Sequence, residues 1–387
     1  MIPPLYWLAQ ALIVGMLAAC ASAPSPQRGT QVSPAPTPSA IPSATPAPQP
    51  DLPAAAPTRI QGKSRWTAVP WSDLPGFGED TLFEAWNAWL KSCERPGTTF
   101  AALCKDVRQL SVASETEQRA WMQARLQPYR VTTHEGHADG LLTAYYEPML
   151  EASRLRTARF AVPIYQLPAG FAQRKPWYTR QEMDTLPTAQ AALRGREIAY
   201  LSDPIDVLAL HIQGSGRLRV TEPTGEQKII RVAFAGTNDH PYQSVGRWLL
   251  DQGLVRDATW PGIKNWLTQN PQRTQELLWR NPRYVFFKEE ALNTFDAAFG
   301  PRGAQGVPLT PGRSIAVDPQ SIPYGTPVWL ASNGPQTKLQ KLVLAQDTGS
   351  AIVGAVRADY FVGWGAEAGE LAGRMKQPLQ LWALWPR

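Results

Sequence analysis

The stretch A-Q-D-T-G-S-A-I-V-G-A-V-R-A-D-Y-F-V-G-W-G, residues 345–365, places Asp347 and Asp359 among four glycines near the C-terminus. Each aspartate adjoins a short predicted strand, one over 341–349 and one over 356–363. An aspartate beside a glycine is most often a turn former, so composition alone is a weak signal. Carboxylates at strand ends are also what glycosidic cleavage uses, because a proton must reach the bridging oxygen. The rest of the sequence is needed to decide whether these aspartates form turns or belong to a catalytic cleft.

The composition allows two folded domains and gives no support to nucleic-acid binding. The chain has 387 residues, of which 43% are hydrophobic, and this supports a sizeable core. The net charge of +6 suits an anionic partner, but no cluster of Lys and Arg is long enough to favour nucleic acid. The 15 tryptophans suit either a core or the apolar faces of sugar rings.

The N-terminus resembles the signal of a bacterial lipoprotein. An apolar run over residues 1–20 ends in L-A-A-C and is shorter than a comfortable membrane span. We expect residues 1–20 to be a signal peptide, Cys20 to be lipidated, and the protein to lie at the periplasmic face of the outer membrane, since Ala21 follows the cysteine. No Lys or Arg precedes Cys20, and a plain cleaved signal or an uncleaved anchor are the alternatives.

A proline-rich segment separates this signal from the folded part. Residues 21–60 contain 11 prolines and few aromatic or charged residues. Such a segment cannot bury enough apolar surface to fold, so we expect an extended tether.

Two cysteines, Cys93 and Cys104, lie in the folded part. We expect them to form a disulfide because an exported chain meets an oxidising compartment, and two buried free thiols are the alternative. No CxxC or clustered histidine accompanies them, so we expect no metal site.

Apolar periodicity predicts a chain with helices at the start and strands towards the end. Helices are predicted over 81–93, 115–126, 240–253, 263–271, 274–282 and 366–375. Strands are predicted over 140–154 (broken at Pro148), 228–236, 281–289, 313–330 (around a proline turn), 341–349, 356–363 and 379–385. The stretch 207–220 is predicted to be a strand, a tight glycine turn and a second strand.

Six stretches carry a resemblance to a known family, and no GxSxG, HExxH or Walker loop competes with them. They are L-L-T-A-Y-Y-E-P (141–148), H-I-Q-G-S-G-R-L (211–218), A-G-T-N-D-H-P-Y (235–242), N-P-R-Y-V-F-F (281–287), S-I-A-V-D-P-Q-S-I-P-Y-G-T-P-V (314–328) and D-T-G-S-A-I-V-G-A-V-R-A-D-Y-F-V-G-W-G (347–365). Together they make residues 65–385 resemble the membrane-bound lytic murein transglycosylase A (MltA) family. The C-terminal part resembles the domain named for three aspartates, the 3D domain.

The resemblance implies a mainly β fold with some α structure. A double-psi β-barrel is expected over 61–155 and 282–387, with the 3D domain over about 300–387. A second, smaller β domain is expected as an insertion over 156–281, with a sugar-binding cleft between the two.

The resemblance also implies the reaction. A lytic transglycosylase of peptidoglycan cleaves the β-1,4 bond after N-acetylmuramic acid and leaves a 1,6-anhydro ring, without a cofactor. The family's acid/base corresponds to Asp359, with Asp347 in support, and Asp318 is expected to be structural. One carboxyl group can serve first as acid and then as base.

Further residues in the matching stretches are candidates for substrate contact. They are Tyr145, Tyr146, Glu147, Gln213, Ser215, Arg217 and Trp364. For each of them, a turn, core or other structural role remains open. Apart from the weak pair His134 and His137, the four histidines lack the spacing of metal ligands.

Two other functions remain open at this stage. A non-catalytic, expansin-like lipoprotein would bind glycan strands without cleaving them, although it would need neither aspartate. A hydrolase on the same barrel would leave a reducing end instead of an anhydro end. In each case the expected partner is peptidoglycan, and the sequence names no protein partner.

Overall fold

The computed structural model describes residues 56–294, 296–335 and 337–387. The predicted signal peptide over 1–20, the lipidation site Cys20 and the tether up to residue 55 lie outside the described residues. A search of the described part of the chain for a helix with the length and apolar character of a membrane span finds none.

Strands account for most of the regular structure. In chain order they are β1 (Thr58–Ile60), β2 (Arg65–Ala68), β3 (Leu126–Thr132), β4 (Gly140–Glu147), β5 (Met149–Ser153), β6 (Val162–Tyr165), β7 (Glu197–Leu201), β8 (Ser215–Thr221), β9 (Gln227–Thr237), β10 (Val285–Ala291), β11 (Ser314–Val317), β12 (Pro327–Asn333), β13 (Lys338–Asp347), β14 (Arg357–Trp364) and β15 (Lys376–Pro386). The tether is predicted to extend to residue 60, but residues 58–60 form strand β1, which pairs with β2.

The helices are short and cover the sheets. They are α1 (Phe83–Ser92), α2 (Cys104–Gln109), α3 (Glu115–Arg125), α4 (Arg180–Thr185), α5 (Pro187–Leu193), α6 (Pro204–Gln213), α7 (Val245–Asp251), α8 (Trp260–Gln269), α9 (Thr274–Trp279) and α10 (Gly365–Arg374). Single 3-10 turns lie at Trp71–Asp73, Ala101–Leu103, Leu110–Val112, Phe171–Gln173, Pro271–Arg273 and Asp296–Ala298.

The larger sheet closes into a ring. Its strands follow the order β15, β12, β13, β11, β14 and β4, and β4 pairs again with β15. The pairs β11–β13 and β14–β4 are parallel, and the other pairs are antiparallel. Strands β1, β2 and β3 extend the sheet along the second half of β15. Closure satisfies both edges of every barrel strand, and the predicted mainly β fold with a barrel is confirmed.

The excess of tryptophan serves the barrel core to a large extent. Among residues 56–294, 296–335 and 337–387, five tryptophans are at most 2% exposed, namely Trp66, Trp86, Trp89, Trp329 and Trp382. Helices α1 and α3 cover the barrel through a cluster in which the rings of Trp86 and Trp89 lie 5.8 and 5.6 Å from that of Trp121. Large buried aromatic side chains contribute strongly to stability because their burial removes extensive apolar surface from water.

The second sheet is smaller and has its own core. Its order is β10, β9, β8, β5, β7 and β6. Its strands begin at Met149 and end at Ala291, and valine, isoleucine and leucine side chains fill the space beneath it. The predicted domain boundaries at 155/156 and 281/282 stay predictions.

The predicted strand over the first half of 207–220 is wrong, because this segment belongs to helix α6. Asp203 caps the helix by accepting a hydrogen bond from the Ile205 amide at 2.8 Å, and Pro204 occupies the first turn. Gly214 ends the helix with a φ of 79°, which suits glycine. The helix is buried on nearly all sides, so its apolar residues show no amphipathic period that would separate it from a buried strand.

We predict that the disulfide between Cys93 and Cys104, which joins the end of α1 to α2, stabilises the fold. Replacing both cysteines by serine removes a link across 11 positions and lowers the free energy of unfolding by about 3 kcal/mol. Urea unfolding of the chain without residues 1–20, with and without reductant, measures the loss. Reductant should destabilise the parent and leave the double variant unchanged. Equal stability of parent and variant without reductant would contradict the prediction.

Candidate active site

The register of three barrel strands brings Asp347 and Asp359 to one level. Ala316 on β11 lies opposite Asp359 on β14 and opposite Asp347 on β13. Directly paired residues point to the same face of a sheet, so both carboxylates flank the methyl group of Ala316. Two strand spacings separate their backbones by about 10 Å. A small residue at the centre leaves the space between the carboxylates open.

An irregularity in β11 decides which residue faces this space. Ile315 pairs with Ala345, but the register then shifts so that Ala316 pairs with Asp347 instead of Gln346. Such a shift redirects side chains, and it is common beside functional sites. Gln346 turns into the core instead, where its amide donates to Ala88 O and to Ser92 Oγ, each at 2.8 Å.

Asp359 has one hydroxyl partner and one nearby positive charge. Thr143, its register partner on β4, donates its hydroxyl proton to Asp359 Oδ1. Burial raises the pKa of Asp359, while the Thr143 hydrogen bond and the charge of Arg357 act in the opposite direction. The net result is a raised pKa, and a raised pKa keeps more of the carboxyl group protonated at a given pH.

Asp347 is held by donors on both oxygens. Tyr145 Oη donates to Oδ2 at 2.8 Å, and the Ala304 amide donates to Oδ1 at 2.9 Å. Burial raises the pKa of Asp347, the hydrogen bonds from Tyr145, Thr348 and Ala304 oppose the rise, and the charge of Asp359 adds to it. Burial and the nearby Asp347 raise the pKa of Tyr145 well above its ordinary value, so its hydroxyl stays protonated and can donate.

Both aspartates open onto a cavity of about 510 Å³ between the barrel and the second sheet. Three residues predicted to contact substrate line this cavity, namely Tyr145, Gln213 and Ser215. The remaining lining residues are His211, Ile212, Gly214, Phe234, Tyr242, Asn281, Arg283, Val285, Pro301, Arg302, Gly303, Ala304, Thr348, Gly349, Ser350, Ala351 and Ile352. A cleft of this size with convergent carboxylates is the expected form of a small active site.

The cavity includes a histidine that sequence reasoning set aside. His211 lies at the end of α6, and its Nδ1 accepts a hydrogen bond from the Arg180 guanidinium at 2.9 Å. Burial and the charge of Arg180 lower the pKa of His211 well below its usual range, so the ring is neutral. A single buried histidine has no partner at metal-ligand spacing, so no sequence motif marks it.

Glu147, Arg217 and Trp364 are not among the residues that line the cavity. Glu147 is fully buried, and its oxygens accept hydrogen bonds from Arg217 Nε at 2.7 Å and Arg231 Nε at 2.6 Å. The guanidinium of Arg217 also lies 3.8 Å from the centre of the Trp364 ring. Their placement favours a structural role at the junction of the two sheets over the predicted substrate contact.

The other predicted contact residues divide between cavity and framework. Gln213 lines the cavity, and its Oε1 also accepts a hydrogen bond from the Tyr146 amide at 3.0 Å, which ties α6 to β4. Ser215 lines the cavity from the first position of β8. The ring of Tyr146 packs against α10, where a Cβ at Gly369 would approach it to 2.9 Å. Tyr146 therefore contributes to packing.

Asp318 lies just after β11 and outside the cavity lining. Its oxygens accept hydrogen bonds from Lys63 Nζ at 2.9 Å, the Gly354 amide at 2.9 Å and the Gln320 amide at 3.0 Å. Burial opposes ionisation, but these donors outweigh it and lower the pKa of Asp318. This placement is compatible with the structural role expected for it.

Comparison with known proteins matches both parts of the fold. Residues 141–288 match the MltA specific insert domain, and residues 313–385 match the 3D domain. A lytic transglycosylase, LtgG, of Burkholderia pseudomallei is 42% identical with a TM-score of 0.58, over 87% of this chain and all of that structure. MltA from Neisseria gonorrhoeae is 31% identical with a TM-score of 0.72, over 87% and 98% of the two chains.

A curated relative gives the same result. The membrane-bound lytic murein transglycosylase A of Vibrio cholerae is 32% identical over 256 residues, which span 63% of this chain and 65% of that protein. The barrel, the second sheet and the cleft between them thus define an enzyme of the peptidoglycan lytic transglycosylase class. The chain belongs to the membrane-bound lytic murein transglycosylase A family.

We predict that Glu147 is required for stability. Replacing it by glutamine leaves two buried guanidinium groups without their counter-charge and lowers the free energy of unfolding by about 3–5 kcal/mol. The control is Glu151→Gln, which breaks the exposed pair with Arg219 and should cost less than about 1 kcal/mol. Urea unfolding of both variants measures the difference, and equal losses would contradict a special role for Glu147.

Proposed function

We propose that this transglycosylase cleaves the β-1,4 bond between N-acetylmuramic acid and N-acetylglucosamine and forms a 1,6-anhydromuramic end, with Asp359 as the only acid and base. The observation that carries the proposal is the unlike environment of the two cavity carboxylates. Within the part of the chain that the structure describes, Asp359 accepts a hydrogen bond at one oxygen, Oδ1, whereas Asp347 accepts hydrogen bonds at both. Asp359 therefore has an oxygen available for a transferable proton.

The first half of the reaction uses Asp359 as an acid. Its carboxyl group donates a proton to the bridging oxygen while the bond from that oxygen to C1 of the muramic residue breaks. The bonding electron pair leaves with the oxygen, which becomes the 4-hydroxyl group of N-acetylglucosamine. The raised pKa of Asp359 supports this step, because the acid must be protonated before cleavage.

The second half uses the same group as a base. The ionised Asp359 takes the proton from the 6-hydroxyl group of the muramic residue, and that oxygen forms the new bond to C1. The proton count balances, since Asp359 ends protonated and no water is consumed. A second carboxylate next to an activated water, as in inverting hydrolysis, is not required.

Asp347 suits an electrostatic role in this scheme. Hydrogen bonds from Tyr145 and the Ala304 amide reach both of its oxygens, which fixes its position and favours its ionised form against the effect of burial. A fixed carboxylate about two strand spacings from Asp359 can stabilise the positive charge that develops at C1. The cavity residues Gln213 and Ser215 are proposed to contact the glycan strand.

We also propose the location inferred from the N-terminus. A lipid on Cys20 would anchor the protein to the periplasmic face of the outer membrane, and the proline-rich tether would let the folded part reach peptidoglycan. The expansin-like alternative has less support, because binding alone does not require two buried carboxylates with raised pKa values.

Mass spectrometry of products from purified murein sacculi tests this reaction. The chain without residues 1–20 should release muropeptides one water lighter than hydrolysis products. Asp359→Asn should lower the rate by about 10²–10⁴-fold because it removes the transferable proton. Asp139→Asn, at an exposed position outside this cavity, is the control and should keep the parent rate.

Each alternative has its own signature in this experiment. Products with a reducing end would identify a hydrolase. Binding to sacculi without any product from the parent chain would identify a glycan-binding protein. Full activity of Asp359→Asn with anhydro products would keep the reaction and remove Asp359 from it.

A further inference from the structure

Arg357 precedes Asp359 by two residues on β14 and therefore shares its face of the strand. The parallel register places Arg357 beside Leu141 and Asp359 beside Thr143 on β4. The guanidinium group reaches along β4, where one terminal nitrogen donates to Thr143 Oγ1 at 2.8 Å. The other terminal nitrogen donates to Leu141 O at 3.3 Å and to Ala358 O.

The position of the Thr143 proton follows from these contacts. A guanidinium group can only donate hydrogen bonds, so the Thr143 oxygen accepts from Arg357. The hydroxyl group has a single proton, and that proton is donated to Asp359 Oδ1. Oδ1 is thereby an acceptor in both protonation states of Asp359, and any proton on the carboxyl group belongs on Oδ2.

We propose that Arg357 is a positioning residue that acts through Thr143 to reserve Oδ2 of Asp359 for proton transfer. The same oxygen then gives the proton to the leaving group and takes it back from the 6-hydroxyl group. Without this arrangement the proton could occupy either oxygen, and part of the protein would hold it on the oxygen bonded to Thr143. The proposal rests on the proposed function, in which Asp359 is the acid and base.

Arg357 is suited to this role because its guanidinium group donates hydrogen bonds to Thr143 and to two neighbouring backbone carbonyl groups. In the described part of the chain no carboxylate lies within 4.0 Å of its guanidinium group. Burial lowers the pKa of Arg357, and the charge of Asp359 acts in the opposite direction. A guanidinium group nonetheless remains protonated throughout the working range of an enzyme.

The elements that pack against β4 and β14 carry other charged groups. Asp347 lies across β11 on β13, and Lys376 on β15 pairs with Thr143 in register. Helix α10, which packs against β4 and β14, has exposed charges at Glu367, Glu370 and Arg374. Among these groups Arg357 provides the attraction that opposes the effect of burial on the pKa of Asp359.

The sign of the pH effect follows from this arrangement. Cleavage needs protonated Asp359, so kcat/KM falls as the pH rises through its pKa. Loss of the Thr143 hydroxyl group or of the Arg357 charge removes an interaction that lowers this pKa. The alkaline limb of the pH profile should therefore move to higher pH by roughly one unit.

Paired variants test this inference on the chain without residues 1–20, with sacculi as substrate. Thr143→Val and Arg357→Gln should lower kcat at the optimum about tenfold or more and move the alkaline limb upwards. Thr143→Ser and Arg357→Lys retain a hydroxyl donor and a positive donor, and should keep the limb close to that of the parent. Arg219→Gln removes a charge at an exposed ion pair and controls for net charge. Thermal melting checks folding, and Arg357→Gln carries the test if Thr143→Val does not fold.

The outcomes separate this inference from the proposed function. The positioning role of Arg357 is supported if the alkaline limb moves to higher pH in Thr143→Val and Arg357→Gln and keeps the parent position in Thr143→Ser and Arg357→Lys. An alkaline limb that stays at the position seen for Arg219→Gln overturns it, provided that Asp359→Asn is inactive. Activity of Asp359→Asn would overturn the proposed function itself, and the positioning role of Arg357 with it.

Discussion

The arrangement of the cleft depends on the buried charge of Glu147. This residue ends β4, the barrel strand that carries Thr143 and Tyr145, and it binds Arg217 and Arg231 from the second sheet. A carboxylate without exposure to solvent is stable only when such partners replace its hydration. The ion pairs therefore hold the second sheet at one position relative to β4. The cavity lies between these two parts.

The same cluster extends to the donors of Asp347. Arg217 and Arg231 both donate to the carbonyl oxygen of Phe299, at 3.0 and 2.6 Å. Five residues further along, the Ala304 amide donates to Asp347 Oδ1. One buried charge cluster thus influences the strand beneath Asp359 and the segment that holds Asp347. An enzyme that distinguishes two nearby carboxylates needs such fixed surroundings, because their pKa values depend on burial and on individual hydrogen bonds.

The strands of the C-terminal part could be predicted from local sequence patterns, whereas the barrel and the joint role of the two aspartates are implied by the resemblance to the family. The C-terminal strands have alternating or continuous apolar runs between glycine and proline turns, and these signals are local. The apolar pattern of α6 does not distinguish a helix from a strand, because a helix buried on nearly all sides has no amphipathic period. Its capping residue Asp203 and the following Pro204 are the local signals of a helix. The register shift at Ala316 is a property of three adjacent strands, and no local pattern shows it. The ion pairs of Glu147 could not be predicted either, since a carboxylate in a strand gives no indication of arginines 70 and 84 positions away.

The central claim is that the 6-hydroxyl group of the substrate, and not water, attacks C1 once Asp359 has donated its proton. Digestion of sacculi in water enriched in oxygen-18, followed by mass spectrometry of the new muramic ends, tests this claim most directly. The account predicts that these ends contain no oxygen-18, because both oxygens of the anhydro ring come from the substrate. One oxygen-18 atom at each new end would show that water attacks C1 and would contradict the account.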